Sequence, residues 1–563
     1  MMNEVINVAG QWLVNTPATE GPRRVETPAG MKKPDKRHGF NINNKTIAMK
    51  FLPSPGFNTL FYILLMVGLG YNVPLSAQQE TGFTPEKAAR IDSLLSVLAD
   101  NNMFQGGVLV AINDKRVYTR YAGYANRSRN ILHSDTTTFN LASLSKPFTA
   151  VAVLQLVQNK KLSLTDHFIK YFPDFPYPEV TIRQLLNHTS GIPQLENSEA
   201  EYVKQHPDEL ITNAKAYADL VAQKSALLSA PGNRWRYNNG NYVLLALLVE
   251  KVSGLSFDVY MKKNVFQRAG MQRTYVRNTY APNTMRYMMP AMYMTDYRDV
   301  DSLDHNKYYT YYNLGGVYGP NNVVSTLNDL LLFDNALEQG KLLGKALLDS
   351  AFTPVVLNNG KTFYMGNSTR SYGLGWSIYT SRSSPVDTFV FHDGHIMGLT
   401  TILHKNLTKG QTIIIYDNIE VSPFVKMSAI NNILNDQPIG NIRVARSVAR
   451  EYGKALIEKG PDYALGRLQE LRTDSANYYL DELEMNTLGY DLLFKDPVPE
   501  HVALSVETFK VNTLLYPKSA NAYDSYAEAL LKAGKKEEAI LMYKRSLFLN
   551  PNNETAKKVL AGQ

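Results

Sequence analysis

The sequence predicts an α/β fold, an antiparallel sheet flanked by helices, followed by an all-α C-terminal region. Three observations carry this reading. Strand-like apolar runs stand at both ends of the stretch 84–435, at 107–112 and 116–123 and again at 388–391, 399–403 and 412–416. Helical patterns fill the middle of that stretch. Beyond residue 441 the strand pattern stops, and segments rich in Ala, Leu, Tyr and Lys take over.

The elements follow in chain order. With 563 residues, two domains are expected rather than one. Residues 1–48 are polar, Asn- and Pro-rich and without periodicity, a disordered leader lying upstream of a true start at Met49. Residues 49–77 read as a secretory signal: Lys50, an apolar run from Leu60 to Gly70, then small residues ending at Ala77. The run holds about eleven residues where roughly 20 span a bilayer. A periplasmic or secreted protein is expected, with an inner-membrane anchor formed by an uncleaved signal as the alternative.

Thr84-Pro85 is an N-cap followed by proline at the first helical position, and Ile91, Leu94, Leu95 and Leu98 repeat at helical spacing. A helix is therefore expected over 84–101. The strands 107–112 and 116–123 are joined by a turn at Asn113-Asp114-Lys115. Residues 148–157 are apolar on every face, as a helix buried inside the domain would be. Another apolar helix covers 242–252. Strands at the start and at the end describe a sheet in which the two ends of the domain meet.

Within 441–563, Pro517 and Pro551 lie 34 residues apart, as do Phe509 and Tyr543, Val506 and Ile540, and Leu515 and Leu549. This resembles the tetratricopeptide pattern, in which small residues let paired helices approach and a proline ends each unit. About two units are visible, fewer than a free-standing solenoid needs. Either the repeats dock on the preceding domain, or helices over 451–486 complete the stack. Their surface is a candidate site for a protein partner or a buttress for the domain before it.

Composition narrows the function. Half of the formal net charge of +8 lies in residues 1–77, where eight Lys/Arg face four acids. No long basic run interleaved with aromatics follows, which argues against nucleic-acid binding. The chain has no cysteine, so disulfides, thiolate nucleophiles and Cys-based zinc sites are excluded. No cofactor is implied.

Three motifs carry chemistry. In Ser143-Leu144-Ser145-Lys146 the hydroxyl and the ammonium share one helical face. Serine is a weak nucleophile until a neighbour takes its proton, and Lys146 can do so where burial and nearby positive charge lower its pKa. Pro147 places the helix start near Ser143, adding unpaired N–H groups beside developing negative charge. Alone, Ser-x-x-Lys recurs by chance about once in a chain this long. Tyr237-Asn238-Asn239 supplies a second base or proton relay in Tyr237 and, in Asn239, a donor and acceptor for a substrate amide. His392-Asp393-Gly394-His395, with Gly398, stands between two strands; its glycines would let a substrate lie along the strand edge, and a backbone N–H there would join that of Ser143 in an oxyanion hole.

Taken in order, Ser-x-x-Lys, Tyr-x-Asn and a basic residue-x-Gly resemble the serine β-lactamase and penicillin-binding protein superfamily, in its class C-like branch of D-amino-acid peptidases and esterases. Flanking blocks add to the likeness: Phe139-Asn140-Leu141-Ala142, Leu185-Leu186-Asn187-His188-Thr189-Ser190-Gly191-Ile192, Val324-Ser325-Thr326-Leu327-Asn328-Asp329-Leu330 and Tyr372-Gly373-Leu374-Gly375-Trp376. The similarity covers roughly 84–430 and implies a β-lactamase-like fold. It implies that Ser143 is acylated, that Lys146 and Tyr237 share the base role, and that Asn239, His392 and Gly394 bind substrate. It also implies that the backbone N–H groups of Ser143 and His395 form the oxyanion hole. Relatives active on β-lactams commonly carry Lys-Thr-Gly where this chain has His392-Asp393-Gly394. The Asp393 carboxylate would repel a substrate carboxylate, favouring esters or D-amino-acid peptides over β-lactams. His395, where many relatives have glycine, would narrow the cleft.

Plainer readings stand beside these. Ser143 could cap a helix, Tyr237 could be a packed aromatic and Asn239 a turn residue. His188 reads as a hydrogen-bonded turn after a helix, not as a catalytic group. His392 and His395 lack a third ligand at metal spacing, so no metal is expected. The Tyr/Met-rich span 285–312 is either a lip over the cleft or ordinary loop packing. Against the hydrolase stands a catalytically weak protein that binds peptidoglycan or a partner.

Overall fold

The computed structural model describes residues 82–562, apart from 102, 127–129, 196–210, 278–315, 383–384, 397–398, 420–421, 441, 443 and 495–499. The leader over 1–48, the export signal over 49–77, the span 285–312 and Gly398 therefore lie outside the described residues.

Helix α1 (Pro85–Asp100) begins at Thr84, whose Oγ1 accepts a hydrogen bond from the Lys87 N–H at 3.3 Å. It buries Ile91, Leu94, Leu95 and Leu98, the stripe its spacing predicts. Strands β1 (Gly106–Ile112) and β2 (Lys115–Ala122) form the expected hairpin. Asn113 and Asp114 both take positive φ, 48° and 64°, the twist a tight hairpin turn requires. Five further strands complete the sheet: β3 (Ser371–Tyr372), β4 (Ser377–Thr380), β5 (Thr388–Ile396), β6 (Leu399–Asn406) and β7 (Gln411–Asp417).

The strand order is β2-β1-β7-β6-β5-β4-β3. The first hairpin thus pairs with the last strand, Leu109 opposite Ile414, and the two ends of the domain meet as predicted. Val108, Val110, Ile112, Ile402, Ile413 and Ile415 face α1 and helix α5 (Pro423–Leu434). Leu109, Ala111, Leu403, Ile414 and Tyr416 face the other way, toward α2 (Lys146–Gln158), α3 (Asn239–Ser253) and α4 (Leu327–Glu338). With both faces covered, β1 and β7 are buried along their whole length, and their centres, Val108–Ile112 and Ile413–Tyr416, run apolar without alternation. Helix α2 is buried from Lys146 through Leu156, which accounts for its apolar character all round.

The ion pair at the end of β7 is wholly enclosed. Lys426 of α5 meets Asp417 at the end of β7 at 2.8 Å, with side chains 1% and 0% exposed. The other Asp417 oxygen accepts from the Gln105 and Ile419 N–H groups at 3.1 and 2.8 Å.

The C-terminal region is helical: α6 (Val448–Lys459), α7 (Pro461–Arg472), α8 (Glu482–Phe494), α9 (His501–Leu515), α10 (Ala520–Lys532), α11 (Lys536–Leu549) and α12 (Glu554–Ala561). Neighbours pack as pairs, α6 on α7, α8 on α9 and α10 on α11. Gly489 in α8 lies so close to the Phe509 ring of α9 that an added Cβ would stand 2.6 Å from it. Arg446 Nε donates to Asn101 Oδ1 at 3.0 Å and Asn101 Nδ2 to the Val444 carbonyl at 2.6 Å, tying the end of α1 to the chain entering α6.

Replacing Lys426 with Met strands the Asp417 carboxylate in the core. Breaking such a pair costs about 3–5 kcal/mol. A clear drop in melting temperature is expected for Lys426→Met, partly relieved in the Asp417→Asn/Lys426→Met double variant.

Candidate active site

Ser143 stands in a short 3₁₀ turn, Ala142–Ser145, that runs directly into α2. The α-helix proper begins at Lys146, with Pro147 in its first turn, so the expected helix start near the serine is met by a tighter coil. Ala142 holds φ +48°, a left-handed conformation that persists in a non-glycine residue only where its surroundings over-determine it. They do so here. Asn140 Oδ1 accepts the Ala142 N–H at 2.8 Å, the Leu141 N–H donates to the Val323 carbonyl at 2.8 Å, and the Val323 N–H donates to Ser145 Oγ at 3.1 Å.

Beneath the turn lies β5. An added Cβ on Gly394 would stand 2.0 Å from the Leu141 carbonyl oxygen, which also accepts from Thr401 Oγ1 at 3.1 Å. Gly394 is thus occupied by the turn that carries Ser143. On this face, close backbone approach accounts for the glycine.

Lys146 is fully buried, yet its Nζ lies 3.0 Å from Ser143 Oγ and 3.1 Å from the Pro320 carbonyl. Ser143 itself is half-buried, so the pair opens to solvent at the hydroxyl. The Tyr237 ring centroid is 4.8 Å from the ammonium and that of Tyr242 5.7 Å. Three distant stretches of chain converge here. An amine this close to a serine hydroxyl can exchange its proton with it, the geometry a general base needs.

Tyr237 precedes α3. Asn238 caps that helix, accepting from the Gly240 N–H at 2.8 Å and donating to the Ile192 and Pro193 carbonyls at 2.9 and 3.1 Å. Asn239, half-buried, is the first helical residue. His188 takes φ +63° in a turn after a short helix (Ile182–Leu186), and it packs its ring 4.5 Å from that of Tyr237.

A profile described as Beta-lactamase matches residues 91–433. The chain belongs to the beta-lactamase family. It is 32% identical over 370 residues to Penicillin-binding protein 4* of Bacillus subtilis (strain 168), covering 62% of this chain and 77% of that protein. A penicillin-binding protein structure from Bacillus halodurans superposes with a TM-score of 0.51 at 25% identity, over 60% of this chain and 99% of that one. The octameric penicillin-binding protein homologue from Pyrococcus abyssi gives 0.53 at 23% identity, over 63% and 78%.

Within this beta-lactamase fold, residues 392–395 are not between strands, as the sequence suggested, but inside β5. Asp393 and Gly394 break the apolar pattern, but pairing with β6 continues in regular register through Ile396. The pleat therefore sends these side chains to alternate faces. His392 and Gly394 lie on the face of Ser143. Asp393 and His395 lie on the opposite face, with Phe391 and Ile402. Two expectations are corrected by this. Asp393 does not share the face of Ser143: its carboxylate stands 3.9 Å from Arg370, whose guanidinium also covers the Phe391 ring. The exposed His395 side chain does not narrow the cleft, although its backbone remains part of β5. Nor can His392 and His395 share a metal, since they leave the strand on opposite sides.

His392 is buried and fully engaged. Its Nδ1 lies 2.7 Å from the Asp393 carbonyl, which only accepts, so Nδ1 carries the proton. Its Nε2 then accepts from the Tyr372 hydroxyl at 3.1 Å. Burial and the Lys146 charge push its pKa down to about 3, and the same two causes hold His188 well below the ordinary histidine range. Tyr372 and the Pro320 carbonyl were not read as site groups from the sequence. Tyr372 lies in a block quoted for the resemblance; a backbone carbonyl leaves no signal in residue type.

Burial also lowers His133 and His404 to about 3. Between that value and the ordinary 6.5 the unfolded chain binds more protons than the folded one, so stability falls as pH falls. The melting temperature should decline from pH 7 to pH 4; a flat profile would contradict neutral buried imidazoles.

Proposed function

We propose that this protein is an exported serine hydrolase that forms an acyl-enzyme at Ser143. The observation that carries the reading is the 3.0 Å contact between Lys146 Nζ and a solvent-reachable Ser143 Oγ, beside Tyr237. In this scheme Ser143 Oγ attacks the substrate carbonyl as its proton passes to Lys146 in its neutral amine form, or to a Tyr237 phenolate held beside the Lys146 ammonium. The N–H groups of Ser143 and His395 hold the oxyanion, and Asn239 holds the substrate amide. The tetrahedral intermediate then expels the leaving group, which takes up the proton. Water attacks the acyl carbonyl in turn and regenerates the hydroxyl.

Esters or D-amino-acid peptides are the proposed substrates. The support for this no longer comes from Asp393, which faces away, but from His392, an uncharged imidazole with both nitrogens hydrogen-bonded. A neutral group there attracts a β-lactam carboxylate less than an ammonium would. We read residues 84–435 as the hydrolase domain, with His392 on its substrate side and Gly394, expected to bind substrate, instead seating the turn that carries Ser143. Residues 441–563 are read as tetratricopeptide-like, a reading supported by the paired helices α8–α11 and the recurrence of Phe509 and Tyr543 in α9 and α11. Export rests on the signal-like segment 49–77, and a periplasmic or secreted location follows from it.

A fluorophosphonate probe should label the protein, and Ser143→Ala should abolish labelling. Lys146→Met and Tyr237→Phe should each lower ester turnover by about 10²–10⁴, the usual worth of a proton-transferring group. An unlabelled wild-type protein would favour a binding role instead. In parallel assays p-nitrophenyl esters or D-alanyl dipeptides should be cleaved faster than a chromogenic cephalosporin; the reverse order would defeat the substrate argument.

A further inference from the structure

No step of the proposed mechanism uses His188, although it is the residue bonded on both sides of Tyr237. Its carbonyl accepts the Arg236 N–H at 2.9 Å, and its Nδ1 accepts the Asn238 N–H at 3.2 Å. The peptide N–H groups of the residues just before and just after Tyr237 are thereby fastened to one residue. The imidazole also lies against the phenol ring, with centroids 4.5 Å apart and planes inclined by 39°.

The fastening is itself held from behind. Nδ1 lies 3.2 Å from Asn241 Nδ2 on the first turn of α3, and Asn241 Oδ1 accepts from Ser190 Oγ at 2.6 Å. The turn carrying His188 is anchored through the Gly232 N–H on the Thr189 carbonyl and the Leu228 N–H on the Gly191 carbonyl, both at 2.8 Å. His188 is 1% exposed and keeps a left-handed backbone, φ +63°, which few side chains adopt without such support. An acceptor, a flat ring and a left-handed turn are needed at one place, and histidine meets all three.

We propose that His188 is a positioning residue for Tyr237, holding the phenol over Lys146 and Ser143 by fixing the backbone on both of its sides. The proposal rests on the serine-hydrolase reading above. It assigns His188 no contact with substrate; its effect reaches the reaction through Tyr237 alone. A displacement of about 1 Å at a reacting group can cost a factor of 10².

The test is a double-mutant cycle on p-nitrophenyl ester hydrolysis and on the rate of fluorophosphonate labelling. His188→Phe keeps a ring and removes the acceptor. It should lower kcat by about tenfold to a hundredfold, with KM changed less than about threefold. His188→Asn, which keeps a side-chain acceptor and tolerates positive φ, should restore part of the loss. In a Tyr237→Phe background, His188→Phe should cost nothing further, within about twofold. If the two losses multiply, or if KM rises while kcat holds, His188 does not act through Tyr237 and the proposal is overturned. Should His188→Phe fail to fold, His188→Asn completes the same cycle. Absence of labelling in the unmutated protein would defeat the hydrolase reading and this role together, whereas normal labelling with multiplying losses would defeat this role alone.

Discussion

A lysine ammonium enclosed in the protein interior is the constraint on which the rest of the site depends. Ionised groups resist removal from water unless neighbours replace their hydration. Around Lys146 the replacement includes Ser143 Oγ, the Pro320 carbonyl and the ring faces of Tyr237 and Tyr242. Each of those groups must be delivered from a different part of the chain, and much of the surrounding architecture serves to deliver them. The Val323 backbone grips the serine turn, Gly394 lets that turn settle onto β5, and the Asn238 cap starts α3 beneath Tyr237.

The electrostatic consequence is a site with its charge concentrated at one point. His188 and His392 both stand near Lys146, and its field together with burial keeps them neutral. Neutral imidazoles are directional: each nitrogen either gives or takes one hydrogen bond. His392 gives from Nδ1 and takes at Nε2, while His188 takes at Nδ1. Both therefore behave as fixed struts of the site across the physiological pH range. Asp393 and Arg370 pair on the other face of the sheet, 3.9 Å apart, and the charges on the two faces still act on one another: Lys146 on Asp393, and Arg370 on His392.

Much of the fold was legible because its signals are local. The Thr84-Pro85 cap, the apolar stripe of α1, the turn at Asn113-Asp114 and the unbroken apolar runs of α2 and β7 each depend on neighbours within one or two turns of chain. The two ends of the sheet could be expected to meet because the strand-like segments stand at either end of a helical middle. The helical character of the C-terminal region was legible from its Ala-, Leu- and Lys-rich segments in the same way. Less legible was β5, where a glycine and an aspartate interrupt the pattern while the partner strand β6, remote from any local rule, continues to pair.

By itself the sequence determined which residue types reach the site: a serine and lysine at helical spacing, a tyrosine before a capped helix, and a histidine and glycine late in the chain, expected between strands. Tertiary structure alone decided what each of them faces. A one-residue step along a pleated strand turns a side chain to the other side of the sheet, so the register of β5 on β6, and not the identity of Asp393, removed that carboxylate from the cleft. The same holds for His188, whose carbonyl and ring find the two flanks of Tyr237 only when segments some fifty residues apart in sequence are packed together.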